Sequence, residues 1–158
     1  MNEDKAVRYH RLKRRIATLS VALNGALLVV LLLSGGSARL RDLAVDVSGG
    51  SASSAGVVAG YAALLTLLLS ALSFPLTFYD GYLVEHRYGL STEPRGAFLR
   101  DALKGTALSV VLIVAAAEAL YATMRIWPAV WWLAAAGTLS AGMALLAGLA
   151  PIVLLPIF

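Results

Sequence analysis

The chain contains no cysteine, only two histidines, and few charged residues, which make up 14% of its 158 positions. Without cysteine, residues 1–158 can form no disulfide, no thiolate zinc site, no iron–sulfur cluster and no cysteine nucleophile. The two histidines, His10 and His86, are far apart in the sequence. A catalytic zinc site needs about three protein ligands. We therefore expect this chain alone to lack an enzyme's metal site.

Hydrophobic residues are abundant, at 59% of the chain, with a mean hydropathy of +0.80. An ordinary soluble domain has about 45–50% apolar and about 25% charged residues. A chain of this length has too little interior to bury so much apolar surface in water. The composition predicts an all-α, multipass transmembrane domain of about four spanning helices plus short interfacial helices.

Four apolar runs set the predicted organisation. A basic segment at 1–15, with six of the thirteen lysines and arginines, precedes the first run at 16–33. A run longer than about 15 residues favours an uncleaved anchor over a cleaved signal peptide. We treat 16–158 as one transmembrane domain. The remaining spans are predicted at about 55–76, 105–124 and 127–150.

Two polar segments separate these runs. Between Ser34 and Ser54 we expect a Gly/Ser-rich loop, holding either a short amphipathic surface helix over 40–47 or a flexible linker. Pro75 predicts a kink in the second helix or its end. Ser91 or Thr92 is predicted to cap a new helix, with Glu93 and Pro94 in its first turn. That helix would lie at the interface and lead into the third span.

The basic residues are distributed unevenly between the two sides of the predicted membrane domain. Ten fall in the N-terminus and the 79–104 stretch, against three in the other connections. The positive-inside rule then places the N-terminus, the 79–104 stretch and the C-terminus in the cytoplasm. Tryptophans 127, 131 and 132 form an external aromatic belt. We expect an integral protein of a bacterial inner membrane, in contact with the lipid bilayer, that binds no nucleic acid.

Two sequence blocks carry a family resemblance. Residues 74–91 read FPLTFYDGYLVEHRYGLS, and residues 99–105 read LRDALKG. Together they resemble the N-terminal membrane region of the type I CAAX prenyl proteases, which are integral-membrane zinc metalloendopeptidases. The likeness covers nearly the whole chain, although Thr92 to Pro94 depart from the family pattern. The residues that match the family's motifs are Phe74, Pro75, Tyr79, Gly81, Glu85, His86, Arg87, Gly89, Leu90, Asp101, Lys104 and Gly105.

The resemblance implies a membrane chamber closed by a zinc domain, which cleaves prenylated or otherwise hydrophobic peptides. The family's zinc site uses an H-E-x-x-H helix, in which two histidines one turn apart bind the metal. Residues 1–158 contain no such motif. The resemblance thus implies no cofactor in this chain, zinc in a missing catalytic domain, and a chain that has been cut after Phe158.

Two groups of polar residues are candidates for chemistry. Glu85, His86 and Arg87 form either an acid–base site or, as the composition favours, charges that are solvated at the membrane edge and pair with Asp80, Asp101 or lipid headgroups. The resemblance adds a structural role, in which the three residues pack against the zinc domain. Glu118 is an ionisable residue inside the third span, where such residues are functional candidates. It either lines a water-filled chamber or is satisfied by Tyr121 or Arg125.

Two other functions remain open from the sequence. One is a stand-alone multipass protein, such as a transporter subunit or a regulatory or assembly partner without peptidase activity. The other is a degenerate paralogue that binds hydrophobic peptides without cleaving them. A reading frame that continues into H-E-x-x-H would favour the protease, and a stop codon after Phe158 would favour the stand-alone protein.

Overall fold

A computed structural model of the chain describes residues 2–49 and 54–153, and this part contains helices and no strand. The predicted all-α class is confirmed. The helices are α1 (Asn2–Leu33), α2 (Gly36–Val47), α3 (Ser54–Phe78), α4 (Glu85–Arg87), α5 (Arg95–Ile126) and α6 (Trp131–Val153), with a π-helical segment at Tyr79–Val84 between α3 and α4.

Four helices are long and apolar enough to cross a bilayer. They cover Val7–Leu33, Ala55–Arg87, Arg95–Ile126 and Trp131–Gly148. At about 1.5 Å per residue, the first three exceed the roughly 30 Å thickness of the hydrocarbon core. About half of their large apolar side chains are exposed in the isolated chain, as expected where lipid covers them. The chain is a multipass integral membrane protein.

Helix α3 lies at the centre of the bundle, in contact with α1, α2 and α5, while α6 packs on α5. One polar link joins α1 to α3 inside the predicted span. The Ser73 hydroxyl donates a hydrogen bond of 3.0 Å to Asn24 Oδ1, and Asn24 Nδ2 donates to the Ser20 carbonyl at 2.9 Å. Such links between membrane helices are worth roughly 0.6–2 kcal/mol.

Of the two alternatives for residues 40–47, the helix is confirmed, since α2 forms there and packs against α3. Gly60 permits the close approach, because a Cβ at Gly60 would lie 3.2 Å from the Cβ of Ala44. Ala44 is fully buried. A hydrogen bond of 2.8 Å between the Ser37 and Tyr61 hydroxyls adds a second contact.

Pro75 lies inside α3, so the alternative that the second helix ends at this proline is wrong. The helix runs on through the π-helical segment to Arg87. Proline costs the helix one backbone hydrogen bond, a loss that neighbouring helices and local π adjustments make tolerable in membranes. A kink at Pro75 stays a prediction.

The true end of this long helix is a glycine cap. Gly89 has φ 69°, in the left-handed region that favours glycine. Its N–H donates to the His86 carbonyl at 3.1 Å, and the N–H of Leu90 donates to the Glu85 carbonyl at 2.9 Å. This pair of bonds is a Schellman motif, which satisfies carbonyls that the helix end leaves open.

The predicted cap at Ser91 or Thr92 is wrong, because α5 begins at Arg95 with an extended Pro94 as its N-cap. The Pro94 carbonyl accepts the first helical bonds, from Ala97 and Phe98. Ser91 instead accepts a bond from the Glu93 N–H within the connecting turn. The predicted interfacial helix and the third span also form one uninterrupted helix.

Candidate functional site

The N-terminal half of α1 meets the end of the second long helix at three charged residues, Lys13, Asp80 and Glu85, here named the polar junction. Lys13 Nζ lies 3.3 Å from Asp80 Oδ1 and 3.2 Å from Glu85 Oε1. It also donates to the Asp80 carbonyl at 3.5 Å. A single ammonium group thus joins two carboxylates from a different part of the chain.

The polar junction is half-buried, with the Lys13 side chain 27% exposed and the two carboxylates 33% and 35% exposed. Asp80 Oδ1 is buried and has no hydrogen-bond partner in the described part of the chain, although it forms the ion pair with Lys13. The geometry therefore favours Glu85 as the carboxylate that accepts a hydrogen bond from Lys13. The Asp80 carboxylate attracts the Lys13 ammonium group mainly by its charge.

Aromatic side chains pack beside the polar junction. Phe78, Tyr82 and Phe98, here named the aromatic cluster, connect α3 and the π-helical segment to α5. The rings of Phe78 and Tyr82 stack at 5.0 Å, and the Phe98 ring lies edge-on to both at 5.6 Å. Gly81 makes room for this contact, because a Cβ there would lie 3.0 Å from Phe98 Cε2.

Glu85, His86 and Arg87 have three different surroundings. Glu85 binds Lys13. The His86 ring lies 4.2 Å from the Tyr82 ring, tilted by 36°, and His86 Nδ1 lies 2.9 Å from the Tyr82 carbonyl. Arg87 is exposed. Because Glu85 and His86 bind separate partners, the structure does not bring them together as an acid–base pair.

The other residues of the family pattern differ in their surroundings. The Phe74 ring lies 6.1 Å from that of Phe78, while Tyr79 and Leu90 are exposed. Asp101 pairs with Lys104 at 3.3 Å, one turn along α5. A Cβ at Gly105 would meet nothing within 4 Å, so no close approach accounts for that glycine.

Glu118, the polar candidate inside the third span, reaches toward Arg125. Its Oε2 lies 3.8 Å from an Arg125 nitrogen, which agrees with one of the predicted alternatives. Its other oxygen, Oε1, is buried and has no hydrogen-bond partner among the described residues. Arg125 also donates to the Tyr121 carbonyl at 3.3 Å. The ion pair brings the carboxylate toward the end of α5.

A cavity of about 880 Å³ lies between α2, α3 and α5, toward the end of α3 opposite the polar junction. Its lining is mainly apolar, with the Ser37 and Tyr61 hydroxyls among the polar groups. Representative lining residues are Arg41, Tyr61, Leu65, Leu69, Ile113 and Tyr121. A concave, mostly apolar site with a few polar groups is the usual form of a ligand pocket.

The residues present do not fit a zinc ion. No group of three or more histidine, cysteine, aspartate or glutamate side chains within residues 2–49 and 54–153 is placed to hold a metal. The polar junction offers two carboxylates, but a lysine occupies the space between them. Zinc in proteins ordinarily binds three or four nitrogen, sulfur or carboxylate ligands.

The bundle and its polar end define the chain as a helical, multipass membrane module. A sequence model of the CAAX prenyl protease N-terminal region, described as five membrane helices, matches residues 2–158. The chain belongs to this family, as its motifs predict. No curated protein and no solved structure matches it. The described residues hold four long helices plus α2, whose 12 residues are too few to span a bilayer.

Sequence reasoning missed the role of Lys13, which counted only as part of a basic segment. One signal was present: Tyr9, Lys13, Ser20 and Asn24 fall on one side of a helix at about 100° per residue. Polar residues on one side of an otherwise apolar helix indicate a face that contacts protein. The cavity had no local signal, because residues of α1, α2, α3 and α5 line it together.

Proposed function

We propose that this chain is the membrane module of a CAAX prenyl protease-like zinc metalloendopeptidase and forms part of its intramembrane chamber. Family membership supports the general role. The observation that carries the chamber role is the apolar cavity between α2, α3 and α5, about 880 Å³ in volume. Such a volume lies within the range of small-molecule pockets, about 300–1,000 Å³.

The cavity suits the lipid part of a prenylated or otherwise hydrophobic peptide. Leu65, Leu69 and Ile113 supply aliphatic surface, against which an isoprenoid chain packs by van der Waals contact, the main attraction where lipid and not water is displaced. The hydroxyls of Ser37 and Tyr61, already hydrogen-bonded to each other, lie near the start of α3, so we place the lipid end of the substrate there and its peptide portion toward the polar junction.

The proposed enzyme needs metal ligands from another domain, because this chain has neither an H-E-x-x-H motif nor a cluster of donors in its described part. That domain would supply the zinc and its hydrolytic chemistry. We place its docking surface at the end of the second long helix, where Arg87 is exposed beside the polar junction. The chain's own residues would then hold the substrate and the catalytic domain.

A crosslinking experiment on the full-length protein tests the chamber. A prenylated peptide with a photoreactive group on its isoprenoid is bound to wild type, to Leu65→Trp and to Leu67→Trp. Leu65 lines the cavity, whereas Leu67 is 49% exposed and lies about 160° around the helix. The cavity-filling variant should lose at least about fivefold in labelling, because its indole takes the space in which the isoprenoid packs and a loss of about 1 kcal/mol of packing energy corresponds to about fivefold.

The control Leu67→Trp should label like wild type, since its indole faces lipid. Equal labelling of all three proteins would reject the cavity as the substrate site, even if the protein cleaves prenylated peptides. Mass spectrometry of the crosslinked fragments gives an independent reading, with α3 and α5 peptides expected to carry the label.

A further inference from the structure

Helix α1 has two faces with different surroundings near its basic end. Lys13 binds Asp80 and Glu85, and Tyr9 packs edge-on against Tyr88 at 5.3 Å. These contacts fix the protein-facing side of the helix. At about 100° per residue, Arg11 and Arg15 lie roughly 160° around the helix from Lys13. They therefore face away from the bundle.

The outward face carries a shallow groove of about 660 Å³, which changes from basic to apolar along the helix. Three guanidinium groups lie at one end and smaller or apolar side chains at the other. The lining residues are Arg11, Arg14, Arg15, Thr18, Leu19 and Ala22. Their spacing is that of one helix face, and the apolar end points toward the membrane-spanning part of α1.

The three arginines have no counter-charge from the described residues. The ion pairs found there involve Lys13, Arg41, Lys104 and Arg125, and no described carboxylate pairs with the arginines of the groove. Like charges one turn apart repel one another unless an anion lies between them. The groove is thus complementary in charge to a phosphate, and in its apolar part to a hydrocarbon chain.

We propose that this groove binds one anionic phospholipid, such as phosphatidylglycerol. The lipid phosphate lies among Arg11, Arg14 and Arg15, where guanidinium groups donate paired hydrogen bonds to its oxygens. One acyl chain lies along Leu19 and Ala22. A lipid is favoured over free phosphate, because the charged and apolar parts share one face at the start of a span, where headgroups lie.

Native mass spectrometry of the full chain in detergent, titrated with dioleoyl-phosphatidylglycerol or dioleoyl-phosphatidylcholine, tests the proposal. The double variant Arg11→Gln, Arg15→Gln should bind phosphatidylglycerol at least about tenfold more weakly, given roughly fivefold for each basic residue near a lipid surface. The matched control Arg95→Gln, Arg100→Gln removes the same charge from exposed sites on α5. It should stay within about twofold of wild type.

A second pair of variants tests the apolar half of the groove without changing its charge. Ala22→Trp fills the groove and should weaken phosphatidylglycerol binding. Val29→Trp, an exposed position two turns further along α1, should not. Melting temperatures in phosphatidylcholine mixtures confirm that each variant is folded.

The outcomes separate a built lipid site from general attraction of acidic lipids. Equal weakening in the two double variants, or no weakening in either, would overturn the proposal. Displacement of the lipid by inorganic phosphate at equal concentration, or full binding by Ala22→Trp, would reject a phospholipid as the occupant. None of these readouts depends on peptidase activity, so failure here leaves the proposed chamber untouched.

Discussion

Lys13 of α1 lies 3.2 Å from the carboxylate of Glu85, a residue 72 positions further along the chain. This ion pair brings the basic N-terminal segment against the end of the second long helix. The start of α1 and the end of α4 must then lie on the same side of the membrane, as the distribution of lysines and arginines also predicts. The contact links the family-pattern block at 74–91 to a residue outside it.

The coupling between Lys13 and Glu85 is measurable in a double-mutant cycle of Lys13→Met and Glu85→Gln. Both side chains are about one-third exposed, so we expect a coupling free energy of about 0.5–1 kcal/mol. Unfolding of the detergent-purified chain by heat or denaturant gives the four stabilities. The matched cycle at Arg41 and Asp42, whose side chains are 69% and 64% exposed, should give a coupling near zero. Equal coupling in the two cycles would contradict the structural role of the polar junction.

Gly81 should be intolerant of larger side chains, because its Cβ position lies 3.0 Å from the Phe98 ring. We expect Gly81→Val to destabilise the protein by about 1–3 kcal/mol through overpacking of the aromatic cluster. Gly105→Ala, where a Cβ meets nothing within 4 Å, should be neutral or stabilise α5 by up to about 1 kcal/mol. Thermal unfolding of both variants checks this. Gly81→Val with unchanged stability would show that Phe98 moves aside freely.

The membrane helices were predictable because hydrophobicity adds up along a continuous run and needs no tertiary information. The orientation signal in the basic residues is local too, but the orientation itself stays a prediction. Pro75 illustrates the limit of such local reasoning: proline ordinarily ends a soluble helix, but inside a bundle neighbouring groups let α3 continue. The π-helical segment Tyr79–Val84 likewise has no sequence signature.

The start of α5 shows two local signals in competition. Ser91 and Thr92 are good caps, and the sequence offers both. Pro94, however, disfavours a helical backbone in Glu93, which a cap at Thr92 would require. The helix therefore begins after Pro94, whose carbonyl accepts the first helical bonds. Neither the partners of Lys13 nor the cavity could be predicted from the sequence, for a different reason. Both depend on which helices become neighbours, and the spacing of residues within one helix does not determine that.

The topology can be tested by cysteine labelling, since the natural chain has no cysteine. Single Ser34→Cys and Thr92→Cys variants place thiols at exposed positions in the first and second polar connections. An impermeant maleimide added to intact cells should label position 34 and leave position 92 protected, because the basic residues favour a cytoplasmic 79–104 stretch. Permeabilised cells provide the control in which both label. The reverse pattern in intact cells would invert the orientation.

The isolated chain should bind no stoichiometric zinc and hydrolyse no peptide. It offers two distant histidines and no cysteine, whereas a catalytic zinc needs three protein ligands. Elemental analysis after dialysis against a weak chelator checks the first statement, and a prenylated reporter peptide checks the second. One tightly held zinc per chain would contradict this prediction and show that side chains other than the two histidines complete a zinc site.

Arg87 is exposed at the end of α4 and belongs to the family-pattern block. If it docks the zinc domain through charge-assisted hydrogen bonds, each is worth about 1.5–3 kcal/mol. In a full-length protein, Arg87→Ala should lower thermal stability and peptidase activity together while zinc content stays near one per chain. Arg87→Lys should restore only part of both, because an ammonium group cannot form the paired guanidinium contact.

A matched control for that experiment is Arg95→Ala, another exposed arginine outside the family-pattern residues, which should leave stability and activity near those of wild type. Lost activity with full stability in Arg87→Ala would assign Arg87 to substrate binding or chemistry instead of docking. If Arg87→Ala changes neither thermal stability nor peptidase activity, Arg87 is only a charged residue in contact with water at the membrane edge. Loss of zinc along with activity would also contradict the docking role, because the metal ligands then depend on a residue that should touch only the surface of their domain.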